Sequence, residues 1–113
     1  MIRFKDGVPF ENLHPRITDE VFPLLERLYS ELGVDCWITA TSNGQHKPKS
    51  LHFANPCRAI DVRTRNLPRE SDKTTIRAKL AHMLGSDYDV LYENPGGPNQ
   101  HLHIELDIKE PRK

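Results

Sequence analysis

Eight residues near the carboxyl end of the chain alternate strictly between polar and apolar side chains, in the order His101-Leu102-His103-Ile104-Glu105-Leu106-Asp107-Ile108. A period of two is typical of a β-strand with one buried face, because successive side chains of a strand point to opposite sides of the sheet. The four apolar residues are therefore predicted to face the core. The two histidines, the glutamate and the aspartate share the other face, so this strand brings two imidazoles into the same space.

Two segments carry apolar residues at the spacing of an amphipathic helix. The first is Thr18–Leu32, whose first residue is predicted to cap it, with Pro23 near its first turn and Gly33 at its end. The second runs from about Ser71 to Leu84 and stops at Gly85. Its predicted buried face consists of Ile76, Leu80, Met83 and Leu84, and His82 is expected to point away from that face into solvent.

Three further segments have the β-branched and aromatic content of strands, namely Val34–Thr41, Arg58–Thr64 and Tyr88–Tyr92. A polar loop, Ser42–Lys49, follows the first of them, and the turn formers of Asn94–Asn99 precede the alternating strand. The order helix, strand, strand, helix, strand, strand predicts an α+β domain. We expect a mainly antiparallel sheet with helices packed on one face.

Length, charge balance and cysteine content limit the classes of protein to which the chain can belong. The 113 residues are the size of one domain, 1–113. Sixteen lysines and arginines balance sixteen aspartates and glutamates, so no net basic field favours nucleic acid or an anionic membrane. The N-terminal segment Met1–Gly7 lacks the apolar run of a secretory signal or membrane helix, so synthesis in the cytoplasm without a signal peptide is expected. Cys36 and Cys57 lack the spacing of a thiolate zinc site and are expected to be partly buried thiols.

Asp61 lies within the apolar run Ala59–Val62 of a predicted strand. An unpaired charge there would be costly, whereas a divalent cation would compensate it. Two imidazoles and a carboxylate are a familiar catalytic zinc set with a fourth position for water, and iron or nickel accept the same ligand types. Two other interpretations stay open: the histidine pair is a solvated polar face, or Asp61 is an ion-pair partner of Arg58 or Arg63.

Four segments together carry a family resemblance: Ser50-Leu51-His52, Cys57-Arg58-Ala59-Ile60-Asp61, Glu93, and His101-Leu102-His103. They resemble the motifs of the hedgehog/D-Ala-D-Ala-peptidase zinc family, which are Ser-x-His, Gly-x-Ala-x-Asp, and a Glu before His-x-His. Gly44-Gln45-His46 adds a likeness to the hedgehog and phage-type endopeptidase branch. The chain departs from the family at Cys57, which replaces a glycine, in the longer spacing between His52 and Asp61, and in the longer connection Asn94–Gln100.

The resemblance implies a ligand set and a catalytic pair. His52, Asp61 and His103 would bind Zn²⁺, Glu93 would be the acid/base, and His46 would donate a hydrogen bond to the developing oxyanion.

Other residues of the expected site have open alternatives. His101 is a second candidate for the oxyanion donor or a support for the ligands. Ser50 is expected to contact the substrate or to support the ligands, and His46 is alternatively a solvated loop residue. Arg58 and Arg63 could offer a fork to a substrate carboxylate or form ion pairs within the sheet. A further alternative is that the Cys57 thiolate joins the ligands.

The function that the resemblance implies is zinc-dependent hydrolysis of bacterial cell-wall stem peptides, by a D-alanyl carboxypeptidase or an endopeptidase. Because such a substrate lies outside the membrane, a phage-encoded protein released to or delivered at the cell wall is the expected context. The alternatives are a non-catalytic zinc-binding interaction module of the same fold and a structural phage component without metal.

Overall fold

The computed structural model describes residues 1–44 and 46–108. It contains a five-stranded sheet and two helices. The elements in chain order are strand β1 (Ile2–Phe4), a π-helical turn (Ile17–Val21) that continues into helix α1 (Phe22–Ser30), strand β2 (Cys36–Ala40), a 3-10 turn (Leu51–Phe53), strand β3 (Ala59–Arg63), helix α2 (Glu70–Leu84), strand β4 (Tyr88–Glu93) and strand β5 (His101–Leu106).

The first predicted helix is present, but it begins differently from the prediction. Thr18 lies inside the π-helical turn instead of before it, and its hydroxyl donates to the Pro15 carbonyl, so the predicted cap is wrong. Pro23 occupies the second position of α1, where the helix requires no backbone N–H from it. Gly33 has a φ of 75°, which suits the end of a helix and confirms that part of the prediction.

Helix α2 agrees closely with its predicted range. It begins at Glu70, and Gly85 ends it with a φ of 84°. Ile76 and Leu80 are buried, and His82 is exposed as expected. Met83 is 44% exposed, contrary to the prediction, because in the last turn it is Leu84 that packs against the core.

The strands lie in the order β1-β2-β3-β5-β4. The pairs β2–β3, β3–β5 and β4–β5 are antiparallel, and β1 pairs in parallel with β2. The mainly antiparallel sheet is thus confirmed. Strand β1 was not predicted, since three residues are too short to show a period and its pairing partner lies more than thirty positions away.

The sheet has one apolar and one polar face. Both helices pack on the apolar face, where Ile38, Ile60, Val62, Leu102 and Ile104 are fully buried. The alternation of β5 is confirmed through Leu106. Ile108 lies beyond the end of the strand and is 41% exposed, so its predicted place in the core is wrong. None of the described helices is long and apolar enough to cross a bilayer.

Candidate metal centre

The polar face of the sheet forms the floor of a cleft of about 820 Å³. Strand β3 contributes Asp61 and Arg63, and β5 contributes His101 and His103. The sides of the cleft are formed by residues of the loops 42–53 and 94–100. All four histidines of the predicted site, His46, His52, His101 and His103, line this one space.

His52 lies in the 3-10 turn and is 1% exposed. The Ser50 hydroxyl accepts a hydrogen bond from the His52 amide at 3.1 Å, which caps the turn and holds the histidine backbone. The imidazole Nδ1 lies 2.6 Å from the Thr41 carbonyl oxygen, and Nε2 lies 3.2 Å from Asp61 Oδ1. His52 therefore reaches Asp61 despite the lengthened spacing between them.

The loop that lengthens the spacing between His52 and Asp61 is held by hydrogen bonds to the N-terminal segment. Cys57 donates its amide to the Asn12 carbonyl at 2.8 Å and accepts from the His14 amide at 2.9 Å. The Asn12 side chain donates to Asn55 Oδ1 at 2.8 Å. The loop between His52 and Asp61 is thus fastened to residues 12–14, away from the cleft.

Asp61 and His103 face each other across strands β3 and β5, where they are register partners. His103 Nδ1 lies 3.1 Å from Asp61 Oδ1, the same oxygen that His52 approaches. The other nitrogen of His103, Nε2, lies 2.7 Å from Glu105 Oε1. Two imidazole nitrogens therefore lie within about 3.2 Å of a single carboxylate oxygen of Asp61.

The partners of the two rings fix their tautomers. A carbonyl or carboxylate oxygen only accepts, so Nδ1 of His52 and Nε2 of His103 must each carry the proton. In the neutral rings the nitrogens that face Asp61 then carry lone pairs, which cannot hydrogen-bond a carboxylate. Two lone pairs that both face one carboxylate oxygen need either extra protons or a cation between them and that oxygen.

The pKa values of the side chains reflect this conflict. Burial opposes ionisation of Asp61, but hydrogen bonds that His103 and His52 donate when their facing nitrogens are protonated outweigh it and hold the pKa of Asp61 well below its usual range. Burial likewise opposes the charged form of His103, yet its contacts with Asp61 and Glu105 raise its pKa to about 9. The cluster therefore attracts positive charge strongly.

His46 stacks on His52, with ring centroids 3.8 Å apart and an angle of 9° between the rings. His46, His52 and Asp61 each offer a ligand atom within 4.8 Å of the others, so this group could hold a metal ion. His46 Nε2 donates to the Asn43 carbonyl at 2.8 Å. Burial, with a smaller contribution from the charge of His52, lowers the pKa of His46, which favours the neutral ring with its lone pair on Nδ1.

Glu93 ends β4 directly opposite His101 of β5. Its Oε1 lies 2.9 Å from His101 Nε2, and that nitrogen lies 3.8 Å from Asp61 Oδ1. His101 Nδ1 lies 2.7 Å from the Asn99 carbonyl, so it donates there. Although the connection 94–100 is long, the Asn99 carbonyl at its end holds the His101 ring, and the register of β4 and β5 places Glu93 beside His101.

Two sequence candidates lie elsewhere. Arg58 is not among the residues that line the cleft, although its backbone bonds to Leu51 and Leu106. The Cys57 thiol is buried and donates to the Ala59 carbonyl at 3.2 Å, and burial raises its pKa. The thiol is therefore occupied outside the candidate metal group.

Two hydrogen-bond partners of the His52 and His103 rings were not predicted from the sequence. Glu105 was recognisable, because it shares the polar face with His103 two positions away along the strand. The Thr41 carbonyl was not, since a backbone acceptor leaves no mark in the residue pattern. The cleft also has basic residues that the motifs did not indicate, namely Lys5, Lys47, Lys49 and Arg65.

No protein-family model, no curated protein and no solved structure matches the chain.

Proposed function

We propose that the chain is a zinc-dependent peptidase that hydrolyses peptide bonds of bacterial cell-wall stem peptides, as a D-alanyl carboxypeptidase or an endopeptidase. One observation carries the proposal: Nε2 of His52 and Nδ1 of His103 converge on Asp61 Oδ1, at 3.2 and 3.1 Å, while the opposite nitrogen of each ring bonds an acceptor. Metal-ligating histidines have this arrangement, in which an outer oxygen fixes the tautomer and leaves the inner nitrogen free to bind.

The donor set fits zinc. Two imidazole nitrogens and one carboxylate oxygen are ligands that zinc accepts, and three protein ligands leave a position open for catalysis. A bound zinc ion would polarise the scissile carbonyl and lower the pKa of water toward neutrality. His52, Asp61 and His103 would hold it.

Glu93 is the proposed acid/base. Its carboxylate lines the cleft, and its side chain is 44% exposed, so it can meet a substrate. A proton taken up at Glu93 can be shared with Nε2 of His101, whose own proton remains on Nδ1 at the Asn99 carbonyl. The pair would pass that proton on to the leaving amine.

We propose that His46 positions the imidazole ring of His52. Because its N–H is donated to Asn43, neutral His46 has no proton for an oxyanion. Its stacking on His52 instead restricts the ring of a ligand. Ser50 acts similarly through the backbone of His52.

The proposal is tested by digesting purified muropeptides with the zinc-loaded protein. The wild type is expected to release D-alanine or new amino termini. Glu93→Gln should retain zinc but lose activity by about 10²–10⁴-fold, the usual contribution of a general acid/base. Glu11→Gln, an exposed glutamate outside the cleft, is the matched control and should retain full activity.

The alternative is a non-catalytic zinc-binding module, and the engagement of Glu93 by His101 favours it, since that carboxylate is already partnered. Zinc binding without cleavage of any stem peptide by the wild type would support the module and refute the enzyme. Equal activity of wild type and Glu93→Gln would refute the role of Glu93.

A further inference from the structure

The charge of the cleft differs from that of the chain. The whole chain is balanced, with sixteen basic and sixteen acidic residues. The cleft is lined by two carboxylates, Asp61 and Glu93, and both contact imidazoles. Five cationic side chains line the same space, namely Lys5, Lys47, Lys49, Arg63 and Arg65. Such an excess favours an anionic ligand.

Arg63 is the most constrained of these cations. Its guanidinium carbon lies 5.2 Å from the centroid of the Trp37 ring, a cation–π contact that restricts a flexible side chain. Arg3 lies over the same tryptophan at 5.8 Å, but its Nε donates to Asp35 at 2.7 Å. Within the described part of the chain, Arg63 has no carboxylate partner. Its guanidinium thus lines the cleft, is restrained by Trp37 and keeps its donors available for a ligand.

The position of Arg63 relates it to the candidate metal centre. It lies two residues after Asp61 on β3, on the same face of the sheet, and it opposes His101 as Asp61 opposes His103. Two strand residues span about 7 Å. An extended peptide covers that distance in about two residues, so a group bound by Arg63 belongs to one of the first two residues beside the scissile bond.

We propose that Arg63, backed by Trp37, is a specificity-determining residue that binds a carboxylate of the substrate next to the bond to be cleaved. The guanidinium fork matches a carboxylate through two parallel hydrogen bonds. This inference rests on the proposed function. The carboxylate is either the C-terminal one of a peptide that ends there or the free carboxylate of an internal acidic residue.

The test measures binding, so that it does not depend on turnover. Titrations use the zinc-loaded Glu93→Gln protein, to keep the probes intact. The first probe is N-acetyl-L-Lys-D-Ala-D-Ala, paired with its C-terminal amide. The second is N-acetyl-L-Ala-γ-D-Glu-L-Lys amide, whose one carboxylate lies on the glutamyl residue, paired with its isoglutamine form. The probe that loses affinity on amidation identifies the source of the carboxylate.

We expect one carboxylate probe to bind about tenfold or more tightly than its amide, as a charged hydrogen-bonded pair provides. Arg63→Gln should abolish that preference, and Arg63→Lys should restore part of it by keeping the charge without the fork. Arg3→Gln is the matched control, because it removes the other arginine on Trp37 and should leave the preference intact.

Two results would overturn the inference: no carboxylate preference in the parent protein, or an unchanged preference in Arg63→Gln that folds like its parent. Failure of the proposed function has a different signature. In that case the wild type cleaves neither peptide, while the carboxylate preference and its loss in Arg63→Gln are still measured.

Discussion

Glu105 provides the sharpest prediction about how the proposed site would hold a metal. Its Oε1 lies 2.7 Å from His103 Nε2, and this contact keeps the proton on Nε2 and the lone pair on Nδ1, toward Asp61. Loss of such an outer partner typically weakens metal binding by about 10–100-fold, or about 1.4–2.7 kcal/mol. The Glu105 side chain is 23% exposed, so water can replace part of the lost acceptor. We therefore expect Glu105→Ala to weaken zinc binding by about tenfold.

The assay is competition for zinc with a chromophoric chelator at neutral pH. Glu105→Gln keeps an acceptor oxygen and should stay within about threefold of the wild type. Glu11→Ala, an exposed carboxylate outside the cleft, should have no effect. Equal zinc affinities of wild type and Glu105→Ala would refute the reasoning that the outer oxygen orients His103.

Three further outcomes follow from other contacts. The side chain of Lys73 is 9% exposed and donates to Gln100 in the loop that lines the cleft. Lys73→Met should therefore speed amide hydrogen exchange in residues 94–100, while the amides of α2 stay protected. Cys57→Ala should keep a full equivalent of zinc by elemental analysis, because the thiol bonds the Ala59 carbonyl; a loss of zinc would make it a ligand. The Tyr88 hydroxyl, which donates to Glu20 Oε1 at 2.6 Å, and the Arg16 guanidinium lower the pKa of Glu20. Ionised Glu20 therefore stabilises the folded chain fully at pH values above the ordinary pKa of a glutamate. This stabilisation is lost as the pH falls through the lowered pKa. Denaturant midpoints measured from pH 7 to pH 3 should fall less steeply in Glu20→Gln than in the wild type, and identical slopes would contradict this.

Local periodicity was enough to predict most of the secondary structure. The alternation of β5 and the helical spacing of α1 and α2 arise from burial against one core, so they are visible in the residues themselves. Strand β1 and the attachment of Cys57 to residues 12–14 depend on backbone pairing between distant segments. No single-residue pattern records such pairing.

The candidate site likewise has one part that the sequence predicts and another that depends on backbone geometry. The alternation of the strands predicted that His101 and His103 share one face, and the structure places Asp61 on the adjacent strand, opposite His103. The approach of His52 depends on a turn, a capping serine and a backbone carbonyl, which the sequence does not display as a pattern. The donation from His46 to Asn43, which changes the role proposed for that histidine, is equally a product of loop geometry.

The most direct test of the central claim is the zinc content of protein purified without chelator, measured together with three variants. We expect about one equivalent in the wild type, a loss in Asp61→Ala and His103→Ala, and retention in His46→Ala. A loss in His46→Ala with retention in His103→Ala would assign the ligand set to His46, His52 and Asp61 instead. Less than half an equivalent in the wild type, unchanged by Asp61→Ala, would contradict the metal site altogether.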